Sequence, residues 1–194
     1  MTVLFALLLG AFAWTFAEYA LHDWVGHLTR GRTDFSREHL EHHRREGYFA
    51  PTPKKARTAA LVLVPLGLAS TRLLGLAGLA FTLGFAAAYL FYEVLHRRIH
   101  THAPWNAYGR WARRHHLHHH HRDARTNHGV TSPLWDLVFG TLAPVEPVRV
   151  PRKRAPGWMV GDTGELSSSY AGDYVLVGPA PRPRDSEHRA EPVR

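Results

Sequence analysis

Apolar residues fall in two long blocks set in polar, charged chain. The first, MTVLFALLLGAFAWTFAEYAL at residues 1–21, carries no charge before Glu18. It lacks the basic start and small-residue cleavage site of a signal peptide, so it reads as a membrane span over about 2–21. The second block, residues 58–95, has Arg72 as its only charge before Glu93. Its 38 residues are too many for one span and predict two, about 58–71 and 73–95, turning near "ASTR". Pro65 predicts that the first of these arms is kinked or only partly inserted. From residue 149 the chain is rich in Pro, Arg, Ser and Gly, as in PRKRAPG and GPAPRPRDSEHRAEPVR. That composition predicts a flexible basic tail over 149–194. The pattern as a whole predicts an all-α fold. It is an integral membrane helical bundle with a cytosolic, histidine-rich helical cap, contained in residues 1–148.

Charge sets the topology. The chain of 194 residues has a formal net charge of +8. The segment between the blocks holds Arg30, Arg32, Arg37, Arg44, Arg45, Lys54, Lys55 and Arg57. The second block is followed by Arg97, Arg98, Arg110, Arg113 and Arg114. The positive-inside rule places both segments in the cytoplasm and Arg72 on the far side. This accounts for the basic balance, and no nucleic-acid-binding motif is present, so no nucleic-acid partner is expected. With no cysteine in the chain, disulfides and thiolate metal sites are excluded.

Histidine is the compositional anomaly, with 16 residues. All but His188 lie at the ends of the apolar blocks or in the polar segments that follow them. His22 and His27 close the first block. On a regular helix five residues turn through about 140°, so these two do not share a face. His39, His42 and His43 sit at offsets of three and four and share one. His96 and His100 are one turn apart at the end of the last span. The run RRHHLHHHHRD contains His116, His119 and His120, which repeat the HxxHH spacing of residues 39–43. His115, His118 and His119 fit the same pattern, and His118 with His121 fits part of it. Neutral imidazole binds zinc, iron, copper and nickel. Ten imidazoles exceed the needs of one ion and suit two ions side by side.

The order HxxxxH, HxxHH, HxxxH, HxxHH, interleaved with membrane spans, resembles the fatty acid hydroxylase superfamily, which includes the sterol desaturases. The stretch NHGVTSPLWDLVFGTL is similar to the segment that follows the last histidine box there. The resemblance covers roughly residues 14–142, and the HxxxH third box looks most like the fatty acid 2-hydroxylase branch. It implies a membrane-bound oxidoreductase with two metal ions, iron in the family and zinc also compatible with the ligands. It implies O2 as co-substrate and attack on a lipid C–H bond. It also implies His22, His27, His39, His42, His43, His96, His100, His116, His119 and His120 as metal ligands. His115, His118 and His121 become neighbours, and His102 and His128 become candidates for contact with the ligands.

A bond with no acidic proton and no leaving group needs a redox metal, with the protein positioning it and excluding water. Glu18, Asp23, Glu38, Glu41, Glu93 and Asp136 are the carboxylates available to orient the imidazoles. The expected substrate is a lipid from the bilayer, a fatty acyl chain or a related lipid. Desaturation, or hydroxylation of a carotenoid or sterol, is the alternative on the same scaffold. A non-enzymatic metal-binding membrane protein is the third reading, opposed by spans that hold no ligands at the bilayer midplane. Some relatives carry a fused cytochrome b5 domain; here a separate electron donor is expected, a ferredoxin or a cytochrome b5-like protein. Three spans rather than four make the chain short for the family.

Overall fold

The computed structural model describes residues 2–144, 146–161 and 163–179. Helix α1 (Thr2–Ala20) continues into a π-helical turn, Leu21–His27. Helices α2 (Asp34–Arg44), α3 (Thr52–Leu74), α4 (Leu76–Thr101), α5 (Ala107–His121) and α6 (Leu134–Phe139) follow. Two four-residue strands, β1 (Val148–Pro151) and β2 (Tyr174–Val177), pair in parallel. Among the described residues three helical stretches are long and apolar enough to cross a membrane: Thr2–His27, Thr52–Leu74 and Leu76–Thr101. The protein is an all-α membrane bundle with a histidine-rich cap and a small β appendage.

The spans are longer than the apolar runs alone predict. The reversal between α3 and α4 lies at Gly75, not near residues 69–72. Gly75 has φ +58°, a left-handed conformation that glycine adopts without steric penalty. Helix α3 runs unbroken through Pro65 and starts just after Pro51. No residue of α3 is buried, as expected of a helix that faces lipid. Helices α1 and α4 form the main packed pair. A Cβ on Gly10 would lie 1.9 Å from the Phe81 carbonyl oxygen, and one on Gly84 1.9 Å from that of Leu7. Lipid tails supply no hydrophobic drive between helices, so such close backbone approach is a main source of cohesion. Below this crossing Trp14 meets Phe85 and Tyr89 edge-on, at 5.3 and 5.0 Å.

The short elements are fixed by local chemistry. Thr33 caps α2 by accepting from Ser36 N at 3.0 Å, and Asn106 caps α5 by accepting from Gly109 N at 2.7 Å. The segment from 148 corrects the expectation of a tail that begins at 149. Val148, Val150, Ala155, Met159 and Tyr174 are buried in one cluster with Leu95 and Ile99 of α4 and Ala112 and Leu117 of α5. Asp173 pairs with Arg110 and, at 3.5 Å, with Arg114. This appendage packs against α4 and α5. The rest of the expected tail, residues 180–194 with His188, lies outside the described residues.

Candidate metal centre

The cap gathers the ten predicted imidazoles into two groups of five. Group one holds His22, His27, His39, His43 and His119; group two holds His42, His96, His100, His116 and His120. Within each group one ring nitrogen per residue lies within 4.8 Å of all the others. Twice a metal–imidazole bond is about 4.2 Å, so each group has the dimensions of one coordination sphere.

Each HxxHH motif serves both groups. On α2 the pair four apart, His39 and His43, points to group one, and His42 points to group two. On α5 the pair four apart, His116 and His120, points to group two, and His119 to group one. The α1 end completes group one and the α4 end completes group two. His22 and His27 converge because residues 21–27 are wound as a π-helix, with Leu28 N donating to Asp23 O at 2.9 Å. An i→i+5 turn stacks residues five apart, which a regular helix cannot do. Their ring centroids are 5.5 Å apart.

The hydrogen bonds fix which nitrogen faces inward. The carbonyl oxygen of His128 accepts from His22 Nδ1, that of Tyr48 from His42 Nδ1 at 2.9 Å, and that of Thr126 from His119 Nδ1 at 2.8 Å. With the proton on Nδ1, a neutral imidazole presents a bare lone pair at Nε2. The Nε2 atoms of His22 and His119 then face each other at 3.0 Å, with no proton to share. Two acceptors at that separation repel unless a cation lies between them. In group two the buried Nε2 atoms of His42 and His96 have no hydrogen-bond partner. The donor sets therefore fit metal ions.

The ligand imidazoles of α2 and α5 are held neutral. Burial pushes His42 down to about 3, with His100 beside it adding to the effect, and pushes His43 down to about 2, with His27 adding. Burial likewise holds His39, His116, His119 and His120 well below the usual imidazole value, reinforced by neighbouring histidines. Neutral rings are the form that binds metal.

The remaining histidines fall outside the groups. His115 is buried and lies 3.4 Å from Asp136, His118 is half-exposed, and His102 is exposed beside Thr101. His128 holds His22 through its carbonyl, and its ring lies 3.6 Å from Asp23. None of the six anticipated carboxylates has an ion pair or hydrogen bond to one of the ten imidazoles. Glu18 instead accepts from Val130 N and Thr131 N at 2.5 and 2.8 Å, pinning that loop to α1. Glu38 and Glu93 pair with Lys54 and Lys55. The carboxylate that does reach a group is Glu46, which sequence spacing does not single out. It sits in the turn after α2, 3.7 Å from His100 and 3.5 Å from His121.

A cavity of about 620 Å³ opens beside both groups. His22, His39, His42 and His96 line it, with Trp14, Leu21, Val62, Leu63, Phe85 and Tyr92 forming apolar wall. Glu38, Tyr48, Lys54, Lys55 and Arg57 form a polar part. The cavity thus joins apolar residues of the spans to histidines of both groups.

A model of the Fatty acid hydroxylase family matches residues 7–141. A ceramide very long chain fatty acid hydroxylase of Schizosaccharomyces pombe is 32% identical over 150 residues, 71% of this chain and 42% of that protein. A dihydroceramide fatty acyl 2-hydroxylase of Arabidopsis thaliana is 32% identical over 156 residues, 76% of this chain and 63% of that protein. The solved structure of full-length scs7p, with only its hydroxylase domain visible, matches with a TM-score of 0.61 at 26% identity. That match covers 73% of this chain and 56% of the other. The chain thus spans about half the length of its relatives, and the family match contains both histidine groups. From the histidine order to the backbone, the chain belongs to the fatty acid hydroxylase family.

Proposed function

We propose that the chain hydroxylates a C–H bond of a fatty acyl chain taken from the bilayer. The reaction consumes O2, two electrons and two protons, and yields the alcohol and water. The observation that carries this reading is the shared cavity, whose apolar wall leads to histidines of both groups. The names of the relatives point to acyl chains of ceramide and dihydroceramide, and in the plant protein to carbon 2. We assign the same substrate class.

His22, His27, His39, His43 and His119 would hold one ion, and His42, His96, His100, His116 and His120 the other. Bound there, iron supplies the redox chemistry that side chains lack. The protein's own residues do the rest. The Nδ1 contacts to carbonyl oxygens orient the rings, and Trp14, Phe85 and Tyr92 exclude water from the reacting carbon. The basic segments flanking the spans support a cap on the cytoplasmic side. Exposed basic residues of the polar segments, among them Arg97, Arg122, Arg149 and Lys153, suit an acidic electron donor, a ferredoxin or a cytochrome b5-like protein.

The test is lipid mass spectrometry of cells expressing the protein, with metal content of the purified protein measured alongside. An acyl chain that gains one oxygen, with two irons bound per chain, supports the proposal. Loss of two hydrogens would make the protein a desaturase. A modified sterol or carotenoid would overturn the acyl assignment. Bound metal with no change in any lipid would overturn the enzymatic reading.

A further inference from the structure

Among the described residues, the buried polar atoms beside group two that have no hydrogen-bond partner include Nδ1 of His100, Nε2 of His121 and both carboxylate oxygens of Glu46. They face one another. Glu46 Oε2 lies 3.7 Å from His100 Nδ1, and Oε1 lies 3.5 Å from His121 Nε2. The His100 and His121 side chains are 2% and 0% exposed, and Glu46 10%, so water is a poor substitute for any of the three. An isolated carboxylate at this burial is costly unless donors meet it. The other face of His100 belongs to group two, with its Nε2 3.1 Å from His116 Nε2.

We propose that Glu46 is a positioning residue for the second ion, and that His121 holds Glu46 in place. The Nδ1–H of His100 donates to the carboxylate, which leaves the Nε2 lone pair aimed into group two. His121 occupies the second carboxylate oxygen and stops Glu46 from turning to solvent. A carboxylate in this place fixes the tautomer and raises the basicity of the ring. His22, His42 and His119 have their Nδ1 on backbone carbonyls instead, so this acidic support falls on group two. It separates two five-histidine groups that are otherwise alike. The account also gives His121 a role that its place beside the HxxHH motif does not reveal.

The inference rests on reading group two as a metal site, and the test separates the two. Metal content and the rate of metal release to a chelator are measured in detergent-purified protein. His119→Ala cripples group one and His120→Ala group two, so each variant retains one ion if the groups are metal sites. Glu46→Ala is then added to each. In the His119→Ala background the remaining ion should leave about 10- to 100-fold faster, the usual effect of losing such a partner. In the His120→Ala background its release should be unchanged. Glu46→Gln keeps the shape and one acceptor oxygen, so it should fall between wild type and Glu46→Ala. His121→Ala should reproduce a smaller part of the effect. Equal acceleration in both backgrounds, or none in either, overturns the role of Glu46. A wild-type protein that binds no metal overturns the metal reading itself.

Discussion

Asp136 offers the sharpest test of how the loop behind group one is held. Its carboxylate is fully buried. It accepts from His128 N and Gly129 N, both at 2.8 Å, and from Thr141 Oγ1 at 2.7 Å, with His115 Nε2 at 3.4 Å. Burial raises its pKa, but His115, Thr141 and the two amides outweigh that and hold the carboxyl below the usual range. In Asp136→Ala the Thr141 hydroxyl can turn to Tyr19, whose oxygen is 3.2 Å away. The two amides cannot turn. Each buried unsatisfied donor costs about 1–3 kcal/mol, so the loss is about 2–6 kcal/mol. That is a large part of the 5–15 kcal/mol typical of a folded protein. Asp136→Asn keeps one acceptor oxygen and strands one amide, so its loss is about half as large. The assay is reversible unfolding of the metal-free protein in mixed detergent, read by Trp fluorescence. The same loop carries the His128 carbonyl that holds His22, so group one should also release its ion faster. Equal stability of wild type and Asp136→Ala, within about 0.5 kcal/mol, would refute the reasoning.

Three further outcomes follow. Gly84→Leu drives a side chain into the Leu7 carbonyl, with the first carbon already at 1.9 Å, so α1 and α4 must separate; the variant should lose both ions and most of its thermal stability, and normal metal content would contradict the packing. On acidification the unfolded chain takes up protons on histidines near pH 6.5 while the folded cap stays neutral, His42 down to about 3 and His43 down to about 2. Stability of the metal-free protein is therefore full above pH 6.5 and falls steadily below it; a pH titration flat from 6.5 to 4 would disprove the neutral cap. His118→Ala should leave metal content unchanged, because its half-exposed ring lies outside both groups, whereas His119→Ala should remove one ion; metal loss in His118→Ala would favour the other register.

Much of this was readable because the signals are local. Runs of apolar residues give membrane helices whatever their partners, and histidines at offsets of three and four share a face wherever α2 and α5 end up. The reversal at Gly75 was less readable, since a polar tetrapeptide and a glycine both interrupt an apolar run. The convergence of His22 and His27 depends on a π turn, which only packing against the cap selects. Glu46 joins His100 through contacts between the turn after α2 and the end of α4, about fifty residues further on. No periodicity records such a meeting. The appendage at 148–178 was hidden by its composition, because Pro, Arg and Ser outnumber the few residues that anchor it, among them Val150, Met159 and Tyr174.

The crossing of α2 and α5 over both groups has a consequence for biosynthesis. Group one joins His22 to His119, 97 residues later, and group two joins His42 to His120. Neither set is complete until α5 has left the ribosome, after all three candidate membrane spans. Before α5 emerges the nascent chain can offer four imidazoles of group one and three of group two, an open and more exchangeable site. Tight capture waits for the finished protein, and the ions then close the longest loops in the cap. Metal starvation should therefore leave an inserted but slack apoprotein, and supplying metal afterwards should tighten it without new synthesis.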